Sequence, residues 1–228
     1  MIMQFQGGKR PLIISPSLMC ADFSSLEEVV AELEKAGADW FHFDVMDGVF
    51  VPNIAMSPLQ MRSLRSKTGR IFDVHLMVRK PERYIESVAA AGGDVITVHF
   101  EACEDLKAVL RLIKDTGKKP AVALNPQTPV NAIHPYLNDI EMILLMCVNP
   151  GFAGQPFIDT VLPKVQEART IIGERPVYIG VDGNIGPHNI SQLSSLGANV
   201  FVCGTAGVFV KDKTFDEAIK ELRRLAKG

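Results

Sequence analysis

Four residues carry side chains suited to a divalent metal: His42 and Asp44 in WFHFDVM, His75 in FDVHLMV and Asp182 in VYIGVD. Each segment reads as a strand, and side chains on a strand alternate between its two faces. His42, Asp44 and Met46 therefore share one face, Phe41, Phe43 and Val45 share the other, and His75 and Met77 repeat the arrangement. Two imidazoles and two carboxylates suit Zn2+, Fe2+, Mn2+ or Co2+. Taken singly, each is an ordinary buried histidine or helix-capping aspartate. Converging at inward strand ends, they need pairing or ligation, because isolated ionisable groups there are costly. Two carboxylates beside a metal also define a reaction: one removes a proton next to a carbonyl, the enediolate charge is held by the metal, and the other returns a proton from the opposite face. Asp44 and Asp182 are the expected acid–base pair.

A second set of residues suits a phosphate. NPGFAGQPF, residues 149–157, brings Gly151, Phe152 and Gly154 after one strand; Gly183 and Asn184 follow Asp182; and Gly204, Thr205, Ala206 and Gly207 follow the last strand. Glycine-rich loops leave backbone N–H groups open to an anion. One such loop is an ordinary tight turn, but three at one edge of a mouth make a binding place. Met19, Met46, Met77 and Met146 would face inward beside these groups, either as core filling or as an apolar shield against water. Ser17, inward on the first strand, would bond a substrate hydroxyl or the neighbouring carboxylate. His99 lies on the fourth strand and, with no i+2 carboxylate expected in the mouth, reads as a core or layer histidine; His134 and His188 read as surface residues.

The elements that must position these groups show an internal repeat. KAGADWFHFDV, AAGGDVITVHF and SLGANVFVCGT each run from a helix through a small-residue stop into an apolar strand. Gly37 to Gly92 spans 55 residues and Gly92 to Gly197 spans 105, which is two and four strand–helix units. Apolar strand candidates recur eight times: LIISPSL, WFHFDVM, FDVHLMV, VITVHF, AVALN, MILLMCV, VYIGVD and VFVCG. Helices are signalled between them, by Ser24 with Glu27 as a capping box and by Ser57 with Pro58. Strand–helix alternation repeated in this way predicts an α/β chain, a single-domain (β/α)8 TIM barrel over residues 1–228, with its site where the loops after the strands gather. Loops after the seventh and eighth strands, with a helix N-terminus, are the usual phosphate position there. No GxGxxG follows the first strand, which counts against an open dinucleotide-binding sheet.

Composition narrows the partners. The formal charge of -2 comes from 24 basic and 26 acidic residues interspersed along the chain, so neither nucleic acid nor an anionic membrane is expected. Any phosphate is held locally. The four cysteines, Cys20, Cys103, Cys147 and Cys203, form no CxxC pair and point to a reducing cytoplasm. MIMQFQGGKR has no apolar signal core, and the longest apolar run, MILLMCV, is too short to span a bilayer. Helix faces that would pair two copies look like ordinary amphipathic surface, which leaves a homo-oligomer open.

SPSLMCADF, HFDVMDGVFVPN, DVHLMV, VNPGFAGQPF, VDGN and CGTAGVF, in this order, resemble the signature segments of the ribulose-phosphate 3-epimerase family across nearly the whole chain. The resemblance implies a TIM barrel with one catalytic divalent metal on His42, Asp44, His75 and Asp182, and the two aspartates as acid and base. It implies further that Ser17 and His75 contact a sugar phosphate, and that Gly151, Gly154, Gly183, Gly204 and Thr205 lie at its phosphate. The implied reaction interconverts D-ribulose 5-phosphate and D-xylulose 5-phosphate. Met19-Cys20, Ala153, Asn184 and Thr205-Ala206-Gly207 depart from the usual family segments and resemble a branch acting on D-allulose 6-phosphate, so a ketohexose phosphate is the alternative substrate. Sugar-phosphate lyases of the same architecture use an inward Asp-x-Lys-x-x-Asp array, whereas this chain reads Asp73-Val74-His75 there. A non-catalytic sugar-phosphate binder is the remaining reading.

Overall fold

The computed structural model describes residues 10–228. The N-terminal stretch read for a targeting signal falls, but for its last residue, outside the described residues. Eight parallel strands make up one sheet: β1 (Ile13–Pro16), β2 (Trp40–Met46), β3 (Ile71–Met77), β4 (Val95–His99), β5 (Lys119–Leu124), β6 (Met142–Met146), β7 (Tyr178–Asp182) and β8 (Val200–Cys203). They pair in the order β1-β8-β7-β6-β5-β4-β3-β2. The ring closes between its two end strands, where Ser17 bridges His42 and the Asp39 N–H donates to the Ile14 carbonyl at 3.0 Å. Each segment read as a strand is one, and the chain forms the expected TIM barrel.

Among the described residues seven α-helices cover the outside: α1 (Leu26–Lys35), α2 (Pro58–Arg65), α3 (Ile85–Ala90), α4 (Leu106–Asp115), α5 (Leu162–Ile172), α6 (Ile190–Ser195) and α7 (Phe215–Lys227). The alternation departs from expectation once. Between β5 and β6 the chain forms a 3-10 turn, Val130–Tyr136, with Pro135 inside it. A proline there donates no N–H and crowds the preceding turn, so an α-helix does not propagate. Of the two expected helix starts, Ser57 caps α2 with Pro58 in its first turn, and the Ser57 N–H donates to Gln60 Oε1 at 2.8 Å. The Ser24–Glu27 capping box does not form. Ser24 instead donates its N–H and hydroxyl to Asp22 Oδ1, at 2.9 and 2.7 Å, in a 3-10 turn before α1. A carboxylate two residues back is the stronger acceptor and takes both donors.

The repeat has a physical meaning beyond helix termination. Gly37, Gly92 and Gly197 sit at φ of 91, 101 and 112°, left-handed positions that close α1, α3 and α6. Two residues later stand Asp39, Asp94 and Asn199, whose side-chain oxygens accept from the N–H groups of Ile14, Phe72 and Ile179 at 2.8, 2.9 and 2.8 Å. Their own N–H groups donate to the carbonyls of the same three residues at 3.0, 2.9 and 2.9 Å. Each repeat therefore clamps the start of one strand to the start of its neighbour, which sets the strand register at the barrel floor.

Alternation then sorts the side chains. Phe41, Phe43 and Val45 pack outward in the layer beneath the helices, while Trp40, Tyr178, Val95, Ala121, Met142, Val200 and Ile13 plug the floor. Burial of such large apolar side chains contributes on the order of 1.5–3 kcal/mol each. Trp40 and Tyr178 meet edge to face with centroids 5.6 Å apart. Ala123, Leu144, Met146 and Val202 fill part of the layer above. Over this rigid, apolar base stand the polar groups.

Candidate metal and acid–base site

His42 and Asp44 rise from β2, His75 from β3 and Asp182 from the end of β7, three strand positions from β2 and four from β3 around the ring. Barrel closure brings them together, with one potential donor atom from each lying within 4.8 Å of all the others. His42 Nε2 is 3.4 Å from Asp44 Oδ1 and 3.9 Å from Asp182 Oδ2. His75 Nδ1 is 3.6 Å from each of the same two oxygens. All four residues lie where sequence reasoning placed them, at inward strand ends.

The donor set fits a divalent ion on an observation independent of its composition. His42 Nε2 and His75 Nδ1 are buried and have no hydrogen-bond partner, although both point into the cluster. Buried polar atoms are normally satisfied, and two orphan imidazole nitrogens facing two carboxylates form a set of lone pairs that a cation would complete. The other atoms of these side chains are held. His42 Nδ1 meets Asp73 Oδ2 at 2.7 Å, and Asp44 Oδ2 accepts from Ser17 Oγ at 2.6 Å. Burial alone would raise the Asp44 carboxyl, but the charge of His42 beside it and then His75 hold it well below the usual carboxylate range. Burial likewise opposes charging of His42 and His75, yet Asp44 and Asp73 raise the first and Asp182 and Asp44 raise the second. Such a cluster attracts positive charge.

Above it opens a cleft toward solvent. Ser17, Met46, Met77, Met146, Gly151, Phe152, Gly154, Gly183, Asn184, Gly204 and Thr205 all line it, together with Asp44 and Asp182. His42 and His75 are fully buried and approach from beneath, so neither forms part of the cleft wall. Met19 joins Met46, Met77 and Val51 in an apolar cluster at the rim. No lysine or arginine is among the described residues lining the cleft. At its far end the backbone turns through Gly183 (φ 115°) and Asn184 (φ 53°). Here close approach decides residue type: a Cβ on Gly186 would lie 2.3 Å from the Ala206 carbonyl oxygen, and one on Gly207 2.6 Å from the Ile185 carbonyl oxygen. Two glycines thus let the loops after β7 and β8 pack backbone on backbone.

Three residues make contacts that the sequence reading missed. Asp73 stands two positions before His75 on the same inward face, in register with His42, so alternation alone would have found it. His99 is buried on β4, as expected of a core or layer histidine, and its Nε2 also meets His75 Nε2 at 2.9 Å. The i+2 carboxylate thought absent is Glu101, in a 3-10 turn just past β4, and it meets His99 Nδ1 at 3.2 Å. Its position outside the strand hid it from an argument based on strand alternation. His134 and His188 are exposed, as expected.

Residues 13–209 match the Ribulose-phosphate 3 epimerase family. The chain is 43% identical over 213 residues to ribulose-phosphate 3-epimerase of Bacillus subtilis, covering 92% of this chain and 97% of that one. It is 45% identical over 199 residues to the Synechocystis protein of the same name, covering 86% of each. Over 220 residues it is 41% identical to the Escherichia coli protein of that name, covering 94% of this chain and 97% of the other. Among solved structures, a mutant tryptophan synthase alpha-subunit from Pyrococcus furiosus superposes with a TM-score of 0.69 at 15% identity, covering 96% and 97% of the two chains. Phosphoribosylanthranilate isomerase from Thermotoga maritima gives 0.63 at 16% identity, covering 95% and 99%. At such identities these two report the barrel alone.

Proposed function

The chain belongs to the ribulose-phosphate 3-epimerase family, and we propose that it interconverts D-ribulose 5-phosphate and D-xylulose 5-phosphate by inverting the carbon beside the ketone. The observation that carries this reading is the pair of carboxylates, Asp44 and Asp182, facing one another across two orphan imidazole nitrogens on the floor of a cleft. Inversion needs a proton acceptor on one side of a carbon and a proton donor on the other. Asp44 and Asp182 come from well-separated strands and take those parts, exchanging them with the direction of the reaction. Ser17 holds Asp44 Oδ2, which leaves Oδ1 on the side of the histidines.

His42 Nε2, His75 Nδ1 and one oxygen from each aspartate would bind a single divalent ion, with Zn2+, Fe2+, Mn2+ and Co2+ all compatible with this donor set. When bound, such an ion supplies electrostatic stabilisation to negative charge developing on the substrate. Met46, Met77 and Met146 keep the reacting end dry. The phosphate lies at the opposite end, against backbone N–H groups of Gly183, Asn184, Gly204 and Thr205 with Gly151, Phe152 and Gly154 across the cleft. That assignment is supported by the glycine geometry and by the lack of lysine and arginine on the wall, which leaves oriented amides as the anion's partners.

The hexulose-phosphate alternative is not favoured, since the three relatives above carry ribulose-phosphate names at 41–45% identity. The lyase reading lacks its lysine, because the third strand carries His75 at that position. A reducing compartment such as the cytoplasm is supported by four free cysteines, and no described helix is long and apolar enough to cross a membrane. Exposed Ile54, in the stretch between β2 and α2, and Leu59, in α2, favour self-association, which sedimentation velocity measures. For the reaction itself, proton NMR in deuterated water should show metal-dependent exchange at C3 of D-ribulose 5-phosphate, with kcat/KM above that for D-allulose 6-phosphate. Absence of C3 exchange in metal-loaded protein sinks the proposal.

A further inference from the structure

From the chain of contacts behind His75, we propose that Glu101 and His99 are positioning residues that keep the hydrogen of His75 off the nitrogen that faces the cluster, and so make it a ligand. The inference rests on the reading of His42, Asp44, His75 and Asp182 as a metal site. Each imidazole there must present a lone pair to the cluster and carry its hydrogen on the other nitrogen. For His42 a carboxylate does this directly, through the 2.7 Å contact between Nδ1 and Asp73 Oδ2. His75 has no carboxylate behind it. Its outer nitrogen, Nε2, lies 2.9 Å from Nε2 of another histidine, and two imidazole nitrogens can bond in either direction.

Glu101 removes that ambiguity. A carboxylate only accepts, so the 3.2 Å contact puts the hydrogen of His99 on Nδ1. His99 Nε2 then carries a lone pair and accepts from His75 Nε2–H, leaving the His75 Nδ1 lone pair aimed at Asp44 and Asp182. The imidazoles meet edge to edge: their planes differ by 26° and their centroids are 4.9 Å apart while the nitrogens are 2.9 Å apart, which suits N–H···N bonding and not ring stacking. Glu101 is itself pinned. Its Oε1 accepts from the Asn125 N–H at 2.9 Å and from the Thr128 hydroxyl. The Asn125 and Pro126 carbonyls are in turn held by Lys164 Nζ at 2.8 and 3.0 Å. The loop after β5 thereby reaches the cluster through two intervening side chains.

The fixed donors yield an asymmetric test. In Glu101→Gln the amide oxygen must face the Asn125 N–H, which can only donate, so the amide NH2 faces His99 Nδ1. Every bond in the chain then reverses and His75 carries its hydrogen on Nδ1, where it blocks binding. Asp73→Asn differs, because Asp73 Oδ1 has no partner and the NH2 can take that place while oxygen still accepts from His42. Competition against a chromophoric chelator, with Zn2+ alone as the probe, should show at least a tenfold loss of affinity in Glu101→Gln, on the order of the 10–100-fold typical of such outer partners. Asp73→Asn should stay within about threefold of native. Long-range proton–nitrogen NMR of native protein should find the His99 hydrogen on Nδ1, a readout that needs no variant to fold, and on Nε2 in Glu101→Gln. Native His99 protonated only on Nε2, or Glu101→Gln binding Zn2+ as tightly as native, overturns the inference alone. Failure of native protein to bind any of the four candidate metals overturns the metal-site reading and takes the inference with it.

Discussion

At one end of the cleft four chargeable side chains stand on strands, and at the other the wall is loop backbone. The strand end is buried and over-determined, with His42 backed by Asp73, Asp44 by Ser17 and His75 by His99. The loop end offers glycines, left-handed turns and no cationic side chain among the described residues of the wall. Proton transfer at carbon tolerates little misplacement, so its groups belong on rigid elements with outer partners. An oxyanion that does not react needs only a concentration of N–H dipoles, which loops supply once glycine lets two of them approach. Damage at the strand end should therefore appear in kcat, and damage at the loop end in KM.

The largest effect should come from Asp182→Asn or Asp44→Asn. Each removes a group proposed above to transfer the proton and is expected to lower kcat by about 10²–10⁴, measured by a coupled assay at saturating sugar phosphate; a change confined to KM would erase the contrast between the two ends. Removing the metal comes next. Chelation should abolish turnover and lower the thermal midpoint, with about 2.7 kcal/mol of stability lost if the ion was present at a hundred times its Kd. Restored activity on adding Mn2+ or Zn2+ separates metal loss from denaturation. Gly183→Ala tests the loop end. A Cβ there would lie 2.8 Å from the Val148 N and 2.6 Å from Val148 Cγ2, at a φ of 115°. The loop must shift, raising KM roughly tenfold, about 1.4 kcal/mol, with kcat within a few-fold of native; an equal loss in kcat would mean that the loop also positions the reacting carbon.

Smaller still for catalysis is Asp94→Ala, which breaks a floor clamp on the far side of the barrel from the site. The Phe72 N–H loses its acceptor and Arg65 loses its carboxylate partner at 3.1 Å. A cost of about 1–3 kcal/mol in urea unfolding is expected, with kcat and KM unchanged. Least affected should be Cys20, although it lines the cleft. Burial, then the charge of Asp44, pushes its thiol up to about 11. The reactive thiolate is scarce at neutral pH, so iodoacetamide should label Cys20 slowly at pH 7.5 and faster as the pH rises toward that value. Rapid labelling at pH 7.5 would show that the strand end is more open than its burial implies.

Much of the strand end was legible because alternation is a local rule. Once WFHFDVM is a strand, His42 and Asp44 must share a face, and the structure puts them there. The same rule reaches Asp73, two positions before His75. It stops at Glu101, which follows His99 by two residues but lies in a 3-10 turn, where strand alternation no longer applies. The helix between β5 and β6 and the Ser24 capping box failed for a related reason: Pro135 and Asp22 override the periodic signal through single local contacts.

By itself the sequence determined which segments become strands, which of their side chains turn inward, and where glycine permits a left-handed turn. All three follow from steric and hydrogen-bonding rules that act over a few residues. Only the tertiary structure decided which inward groups meet. Asp182 is 107 residues from His75 in sequence, yet lies 3.6 Å from it because the ring closes between β1 and β2. The outer contacts behind the cluster depend on the same closure and on loop paths after β4 and β5. A period of two specifies the face of a strand but not its lateral neighbour, and the clamps at Asp39, Asp94 and Asn199 are what set that register.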